Sequence, residues 1–439
     1  MNMTKLSTKV QAFVLSLTAV LAGCGALDDL LEVDAPSQVV ASDLENPAAA
    51  GLLVSSVANE VRCAYAYFAA AGALTGNEWR DVSNNTVLNI WDSRTHDTSG
   101  YGAQYASADC GSTQPAIYRP QSRARWMADF TLDLLEGWDV ADVPEKAEYQ
   151  ALVGMYAGYA YLMMGESMCE VAFDNGAVQS PSDALTLAIA RFDAAIAGGA
   201  SGDVLNAARV GKARAQLDLG FSADASATAG SVPAGFVWEL PFSDASNVTR
   251  NTLWNISVDD ENVSPAEPYR NVQYNGVDDP RVNTFYTGRD HPRTGLEIWN
   301  SDKFAGANSP LAMASYDEAQ LIIAEAAIAA GNADGAVAII DAFHAAAGLA
   351  AYGAEGEATG PSNATEVLNH LVLHERAAEL FLEGQHLYDL TRHGSGGTGI
   401  LDLFPAVGVD DGFGGQYSSQ ICFDLPATEF QNNTTLVGG

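Results

Sequence analysis

His374 and Glu375 are the adjacent pair whose side chains most suggest metal chemistry, because both lie in a stretch of helical pattern. A zinc hydrolase of the H-E-x-x-H type requires a second histidine one turn later, and that position holds Ala378. His386 and His393 follow without the one-turn spacing that lets two histidines share an ion, so we expect both at the surface or at helix ends. The sequence therefore predicts neither a metal site nor a cofactor.

Other motifs of catalysis and phosphate binding are also missing from the sequence. It contains no G-x-S-x-G and no P-loop, and no G-x-G-x-x-G stands at a strand-to-helix junction. The segment DDGFGG at 410–415 lacks the alternating oxygen ligands of an EF-hand loop. With 55 acidic residues, 21 basic ones and a net charge of −34, the chain is poorly suited to gripping phosphate backbones. We therefore expect a protein that is not an enzyme and does not bind nucleic acid.

Aromatic residues set among Asn, Asp, Arg and Gln are the more informative feature. A flat ring packs on the C–H face of a sugar while neighbouring polar side chains bond its hydroxyls, so this composition favours a glycan over a peptide ligand. The alternative is that each ring only fills a core beneath long loops. The candidate ligand-binding residues are Trp79, Trp91, Tyr101, Tyr105, Tyr269, Tyr274 and Trp299.

Two alanine-rich blocks of helical period, about 145–230 and 313–393, must position these residues. In the second block, a Gly331-Asn332 break divides about 34 residues into two helices, the size of a tetratricopeptide unit. Segments 75–125 and 233–311 lack helical period and predict a loop-rich lobe that carries the ligand. We expect a mainly α fold of tetratricopeptide-like helix pairs with few short strands.

A helical stretch near residue 380 carries acidic residues at four-residue spacing. Glu375, Glu379 and Glu383 follow one another in this way, and we expect Arg376 to pair with Glu379. Paired charges of this kind indicate a structural element rather than a catalytic one.

The first 23 residues have the layout of a secretory signal. Lys5 and Lys9 precede an apolar stretch of about a dozen residues, and small residues then lead to a cysteine. Leu21-Ala22-Gly23-Cys24 has the form of a bacterial lipobox, so we expect residues 1–23 to be removed and Cys24 to carry the lipid anchor. Residues 24–439 would then form a single domain.

Four further cysteines remain in this exported chain, and their even number predicts two disulfides. Four cysteines allow three pairings, and spacing does not decide between them. Of the three we favour Cys63–Cys110 together with Cys169–Cys422.

Short motifs spread over most of the mature chain form a recognisable set. They are Cys24 with Asp28–Val33 and Ala35–Val39, Asp279–Arg281 before Thr284–Tyr286, Ser315–Ala319 before Ile323–Ala326, Glu375-Arg376 with Glu379-Leu380, Glu383-Gly384 and Asp389-Leu390, and Cys422–Pro426 with Glu429. This set resembles the SusD/RagB family of nutrient-binding outer-membrane lipoproteins. The chain departs from the family pattern at Ala377-Ala378, where a basic pair is common, and at His386, where arginine is usual.

The resemblance implies a tetratricopeptide-like scaffold with a loop-rich ligand face. It also implies a cell-surface position on the outer membrane, as a lid on a SusC-like TonB-dependent transporter that receives glycans or peptides from it. The family contributes no catalytic residues and no ligand motif that transfers by position. A second interpretation is a lipid-anchored helical scaffold of an envelope complex that holds no nutrient.

Overall fold

The computed structural model describes residues 44–96, 108–110, 116–353, 363–394 and 405–436. The signal segment 1–23, Cys24, Tyr101 and Tyr105 lie outside the described residues. Of the unit Met1–Ala49 the structure describes residues 44–49, with a single turn of 3-10 helix at Pro47–Ala49. The second unit is Ala50–Gly439, which contains all the other described helices and strands.

Helices dominate the described part of this unit, as the sequence predicts. They are α1 (Ala50–Thr75), α2 (Thr86–Asp92), α3 (Tyr118–Gly137), α4 (Lys146–Ser167), α5 (Pro181–Ala197), α6 (Gly202–Asp218), α7 (Ser222–Ala229), α8 (Tyr316–Ala329), α9 (Ala333–Ala347), α10 (Ala364–His370), α11 (His386–Gly394) and α12 (Ala427–Asn432). A π-helical turn, Leu371–Arg376, and a short helix, Ala377–Glu379, continue α10. Short helical turns also occur at Thr252–Trp254, Asn255–Asp259 and Glu267–Tyr269. None of the described helices has the length and hydropathy needed to cross a membrane.

Small residues let consecutive helices approach closely. A methyl group built on Gly158 of α4 would lie 2.5 Å from the ring of Phe192 on α5, and one on Gly211 of α6 would lie 2.3 Å from the same ring. Phe192 is fully buried between these helices, and its ring meets that of Tyr159 edge-on at 5.2 Å. The glycines are thus required where three helices share one aromatic core residue.

Eight short strands form four two-stranded antiparallel sheets. The strands are β1 (Trp79–Asp81), β2 (Val237–Leu240), β3 (Val263–Pro265), β4 (Gln273–Tyr274), β5 (Val277–Asp278), β6 (Thr284–Asp290), β7 (Glu297–Ser301) and β8 (Leu311–Ser315). β1 pairs with β3, β2 with β8, β4 with β5 and β6 with β7. Since β8 runs directly into α8, its pairing with β2 joins the two helical blocks.

Both favoured disulfides are confirmed. Cys63 on α1 is bonded to Cys110, and Cys169, just after α4, is bonded to Cys422 near the C-terminus. The second bond spans 253 residues, so it ties the end of the chain to the helical scaffold.

The structure places helices where the sequence showed no helical period. α2 and the first half of α3 lie within residues 75–125, which we expected to be loop, and the long α1 precedes them. From Cys63 to Thr75, α1 is buried on every side, so it has no polar face and no amphipathic period to detect. α3 begins with a polar and basic run, YRPQSRAR, which hides its apolar stripe.

Charged and polar residues expected at the surface are buried in several places. His386 and His393 are both buried, the first edge-on against Tyr269 and the second bonded through Nε2 to Glu325 Oε1 at 2.9 Å. Both histidines do lie at the ends of α11, but the expectation of a surface position is wrong. Glu325 pairs with His393 inside the core, whereas burial lowers the pKa of His386 to about 4 and keeps that ring neutral.

The predicted Arg376–Glu379 pair is also wrong. Arg376 Nε donates to Asp389 Oδ2 at 2.8 Å, whereas Glu379 accepts from Arg281. Arg376 closes the π-helical turn, whose wider winding departs from the regular α geometry that makes residues three apart neighbours.

Glu78, between α1 and β1, is a buried acid whose ionisation opposes folding. Burial raises the pKa of its carboxyl to about 8, although the N–H of Leu382 donates to its Oε1 at 2.8 Å and favours the ionised form. As pH rises from the ordinary value of 4.5 toward 8, the unfolded chain loses this proton while the folded chain keeps it. The raised pKa therefore lowers stability progressively across that window.

Glu78→Gln should remove this loss. We expect the free energy of unfolding of the variant, relative to wild type, to increase by roughly 3–5 kcal/mol between pH 4.5 and 8. Urea-induced unfolding of both proteins at several pH values measures the difference, with Glu136→Gln at an exposed position of α3 as the control. A Glu78→Gln difference that stays constant across the window would contradict the prediction.

Candidate functional site

Four of the aromatic candidates lie in the core rather than at a surface. Trp79, Trp91, Tyr269 and Tyr274 are each at most 4% exposed. Trp91 meets the ring of Phe423 edge-on at 5.8 Å, and the other three are likewise enclosed. A ring enclosed on all sides offers no face to a sugar, so these four residues are not part of the site described below.

Among the aromatic candidates that the structure describes, Trp299 reaches the surface, and it lies on the β6–β7 hairpin. Its Nε1 donates to Glu297 Oε2 at 2.9 Å, and the guanidinium of Arg270 lies 5.1 Å from its ring centre. The exposed ring of Tyr286 is 6.0 Å away, and its hydroxyl donates to Asp290 Oδ1 at 2.9 Å. We call Arg270, Tyr286, Asp290, Glu297 and Trp299 the Trp299 surface. It lies in the segment 233–311 that the sequence assigned to the ligand lobe.

A cleft beside α3 offers a more open arrangement of the same chemistry. Its volume is about 340 Å³. We call it the Trp126 cleft, and it is lined by Tyr118, Ser122, Arg123, Arg125, Trp126, Ala172, Asp174, Asn175 and Glu429. Trp126 is 49% exposed, and its ring stacks on that of Phe130 at 5.1 Å with the planes 9° apart. The stacking orients the indole, so about half of its surface faces solvent in a fixed direction.

Hydrogen-bonding groups surround this indole. The Nη1 of Arg125 donates to both carboxylate oxygens of Asp174, at 2.8 and 2.9 Å. Tyr118 donates its hydroxyl proton to Glu429 Oε2 at 2.8 Å, and burial together with this carboxylate raises the pKa of Tyr118. The carboxylates keep further lone pairs for ligand hydroxyls.

Both disulfides hold the walls of the Trp126 cleft. Cys110 is adjacent to Asp109, which accepts at 2.8 Å from Arg123 of the cleft. Cys422 lies in the segment that leads to α12, and α12 supplies Glu429. Asn433, just beyond α12, donates to the carbonyl of Gly176 at 2.8 Å. Covalent bonds thus pre-organise two walls, which lowers the ordering cost of binding.

Trp126 was not among the sequence candidates, because the expected lobe ended at residue 125 and the first helical block began only at about residue 145. A signal was present nonetheless. Arg119, Arg123 and Arg125 cluster beside this tryptophan in a chain that holds only 21 basic residues. A local concentration of arginine with an aromatic residue is typical of a binding surface.

Four residues elsewhere in the described chain could hold a metal ion. Ligand atoms of His344, His370, His374 and Glu375 all lie within 4.8 Å of one another. The H-E-x-x-H argument tested only one spacing, whereas His344 comes from a different helix, 26 residues or more from its partners in sequence. Such a set is visible only after folding.

The fold and the site define a class of protein: a tetratricopeptide-like helical scaffold that presents an aromatic and polar cleft. Residues 243–433 match the family model described as the SusD family, and these residues contain the D-P-R and E-R motifs noted in the sequence. This segment of the chain is therefore similar to the SusD/RagB family, as its motifs indicated. A comparison with curated proteins finds no match.

Solved structures share the fold at low sequence identity. A SusD superfamily protein from Bacteroides vulgatus has a TM-score of 0.63 and 13% identity, covering 89% of this chain and 98% of its own. One from Parabacteroides distasonis has a TM-score of 0.65 and 14% identity, covering 90% and 98%. A SusD-like carbohydrate binding protein from Bacteroides vulgatus has a TM-score of 0.55 and 14% identity, covering 79% and 83%. The fold class expected from sequence is confirmed.

Proposed function

We propose that this protein is a non-enzymatic, lipid-anchored protein of the outer-membrane surface that binds a glycan and passes it to a SusC-like TonB-dependent transporter. The Trp126 cleft is the observation that carries the binding part of this proposal. An oriented, half-exposed indole among two arginines, two carboxylates and an amide matches the needs of a sugar, whose C–H face is apolar and whose hydroxyls require donors and acceptors.

The size of the cleft limits what it holds. Small-molecule sites have volumes of about 300–1,000 Å³, so a cleft of about 340 Å³ accommodates one or two sugar rings rather than a long chain. The Trp299 surface is a second aromatic platform for a longer oligosaccharide, but its indole is already engaged by Arg270 and Glu297. We therefore assign the first contact to Trp126.

The remaining parts of the proposal rest on family likeness and on the N-terminal sequence. A structural relative described as a carbohydrate binding protein supports a glycan ligand. The lipobox at Cys24 supports the anchor, and likeness to the SusD family supports the transporter partner and a role without catalysis.

Trp126→Ala should weaken glycan binding about five- to tenfold. Loss of one stacked ring removes about 1–1.5 kcal/mol, and each 1.4 kcal/mol changes affinity tenfold. The full chain would be extracted in mild detergent, and its affinity for a panel of soluble oligosaccharides measured by calorimetry.

Mass spectrometry of the proteins that co-purify with the detergent-extracted chain tests the transporter part of the proposal. A stoichiometric outer-membrane barrel among those proteins is the expected partner.

Phe221→Ala is the matched control, since Phe221 is also exposed, at 52%, but lies between α6 and α7 and does not line the cleft. It should bind as wild type does. Unchanged affinity in Trp126→Ala together with a loss in Trp299→Ala would move the site to the Trp299 surface. Binding of peptides and of no oligosaccharide would overturn the glycan assignment.

A further inference from the structure

Three histidines from two helical segments converge on one buried carboxylate. His344 lies on α9, His370 is the last residue of α10, and His374 and Glu375 belong to the π-helical turn that follows. We call His344, His370, His374 and Glu375 the histidine cluster. His344 and Glu375 are fully buried, whereas the side chains of His370 and His374 are slightly exposed and leave a path for a small ion.

The Nε2 of His374 lies 3.3 Å from Asp279 Oδ2, whereas His344 and His370 both turn Nε2 toward Glu375. Its Oε1 lies 2.6 Å from His344 Nε2, 3.1 Å from His370 Nε2 and 3.8 Å from His374 Nε2. The π-helical turn produces this arrangement, because its i→i+5 spacing brings His370 and Glu375 to the same side. Single turns of π-helix occur frequently at functional sites.

The surroundings orient the cluster as a metal site orients its ligands. His344 Nδ1 is 2.6 Å from the carbonyl oxygen of Ala350, so this nitrogen carries the proton and donates it. His344 Nε2 lies 2.6 Å from Glu375 Oε1, so in the ion-free chain a proton is shared between the two atoms, and a bound metal ion would replace that proton. A ring nitrogen that donates to a backbone carbonyl while the other faces the ion is the usual arrangement of metal-bound histidine.

Groups around the cluster complete this environment. Glu375 Oε2 accepts from Arg281 Nη1 at 2.8 Å, which fixes the plane of the carboxylate. The positive charge of Arg281 is offset by Asp279, at 2.6 Å from its Nη2, and by Glu379, at 3.1 Å from its Nη1. The ring of Tyr274 lies over the three imidazoles, with centres 4.3 to 5.4 Å apart, and shields them from water.

We propose that the histidine cluster binds one Zn²⁺-class transition-metal ion. Three imidazoles and one carboxylate are a borderline-soft donor set that suits Zn²⁺ and Co²⁺ and disfavours Ca²⁺ and Mg²⁺. Four protein ligands fill a tetrahedral shell and leave no open position, so the ion is structural. It would join α9 to the segment after α10, and this role is separate from the glycan cleft.

Metal titration of the full chain, purified without a polyhistidine tag and freed of metal by a chelator, tests the proposal. Calorimetry with Zn²⁺ should give one ion per chain, Ca²⁺ should not compete, and Co²⁺ should give the intense visible absorption of a tetrahedral site. Zn²⁺ should also raise the melting temperature, because it binds only the folded chain. The described cysteines form disulfides and do not compete for the ion.

The double variant His370→Ala/His374→Ala should lower Zn²⁺ affinity at least a hundredfold and abolish the thermal shift. These two side chains are the less buried members of the cluster, and circular dichroism verifies that the variant is folded. His291→Ala, which removes a histidine outside the cluster, should bind as wild type does. The proposal is overturned if the wild-type chain takes up no Zn²⁺ at tens of micromolar, or if the double variant binds as tightly as wild type. Neither result bears on glycan binding, which is measured separately.

Discussion

Glu318→Gln is expected to lower the free energy of unfolding by about 3–5 kcal/mol. Glu318 on α8 and Arg214 on α6 are 1% and 2% exposed. Arg214 Nε donates to Glu318 Oε1 at 2.6 Å, and its Nη2 donates to Oε2 at 2.8 Å. Glutamine keeps the shape of the side chain but removes its charge, so a guanidinium is left buried without its counter-ion.

The pair also joins the two helical blocks. Arg214 Nη2 donates to the carbonyl of Met313 at 3.0 Å, and Tyr65 of α1 lies 3.4 Å from Arg214 Nη1. Contacts from α1, α6, β8 and α8 thus meet at one guanidinium. Loss of the carboxylate should therefore weaken several elements together, and urea-induced unfolding should show a lower midpoint.

Asp193→Asn is the matched control for this effect. Asp193 accepts from Lys212 at 2.6 Å, and Lys212 lies on α6 as Arg214 does, but Asp193 is exposed. Exposed pairs contribute about 0–1 kcal/mol, because water screens them. A second variant, Arg214→Met with Glu318→Leu, should recover most of the stability, since it buries no unpaired charge. Equal effects of Glu318→Gln and Asp193→Asn would contradict this account.

Local chemistry in the sequence was sufficient for much of the helical scaffold. Ser180 forms a capping box with Asp183 at the start of α5, and the Gly331-Asn332 break separates α8 from α9 as predicted. These features depend on neighbouring residues, so a single sequence contains them. α1 depends instead on burial by other elements on all sides, which no local period records.

The sequence predicted the type of chemistry at the candidate site, aromatic rings among polar side chains, but only some of the residues that provide it. Composition drew attention to aromatic and polar segments. Trp79 and Trp299 look alike in sequence, although one is enclosed and the other reaches solvent. Exposure is decided by distant elements. The histidine cluster shows the same limit, since His344 meets His370 only when α9 packs beside the end of α10.

Trp91→Ala should cost about 3–5 kcal/mol of folding stability, as large aromatic deletions in a core do. Trp91 is fully buried on α2 and contacts Phe423, next to the Cys169–Cys422 disulfide, so a cavity there would loosen the C-terminal segment that leads to Glu429. Trp299→Ala should cost only about 1–2 kcal/mol, the sum of a partly exposed cation–π contact and one hydrogen bond.

These two variants separate a core tryptophan from a surface one by two measurements. Urea unfolding gives the stability change, and glycan affinity is measured on the fraction that remains folded. If Trp91→Ala keeps wild-type stability but loses glycan affinity, then this ring is a ligand contact and its enclosed position is wrong. If the amount of glycan bound falls in proportion to the loss of near-ultraviolet circular dichroism, the ring acts only by supporting the wall of the Trp126 cleft. The second outcome is expected, because Phe423 connects this ring to the segment that carries Glu429.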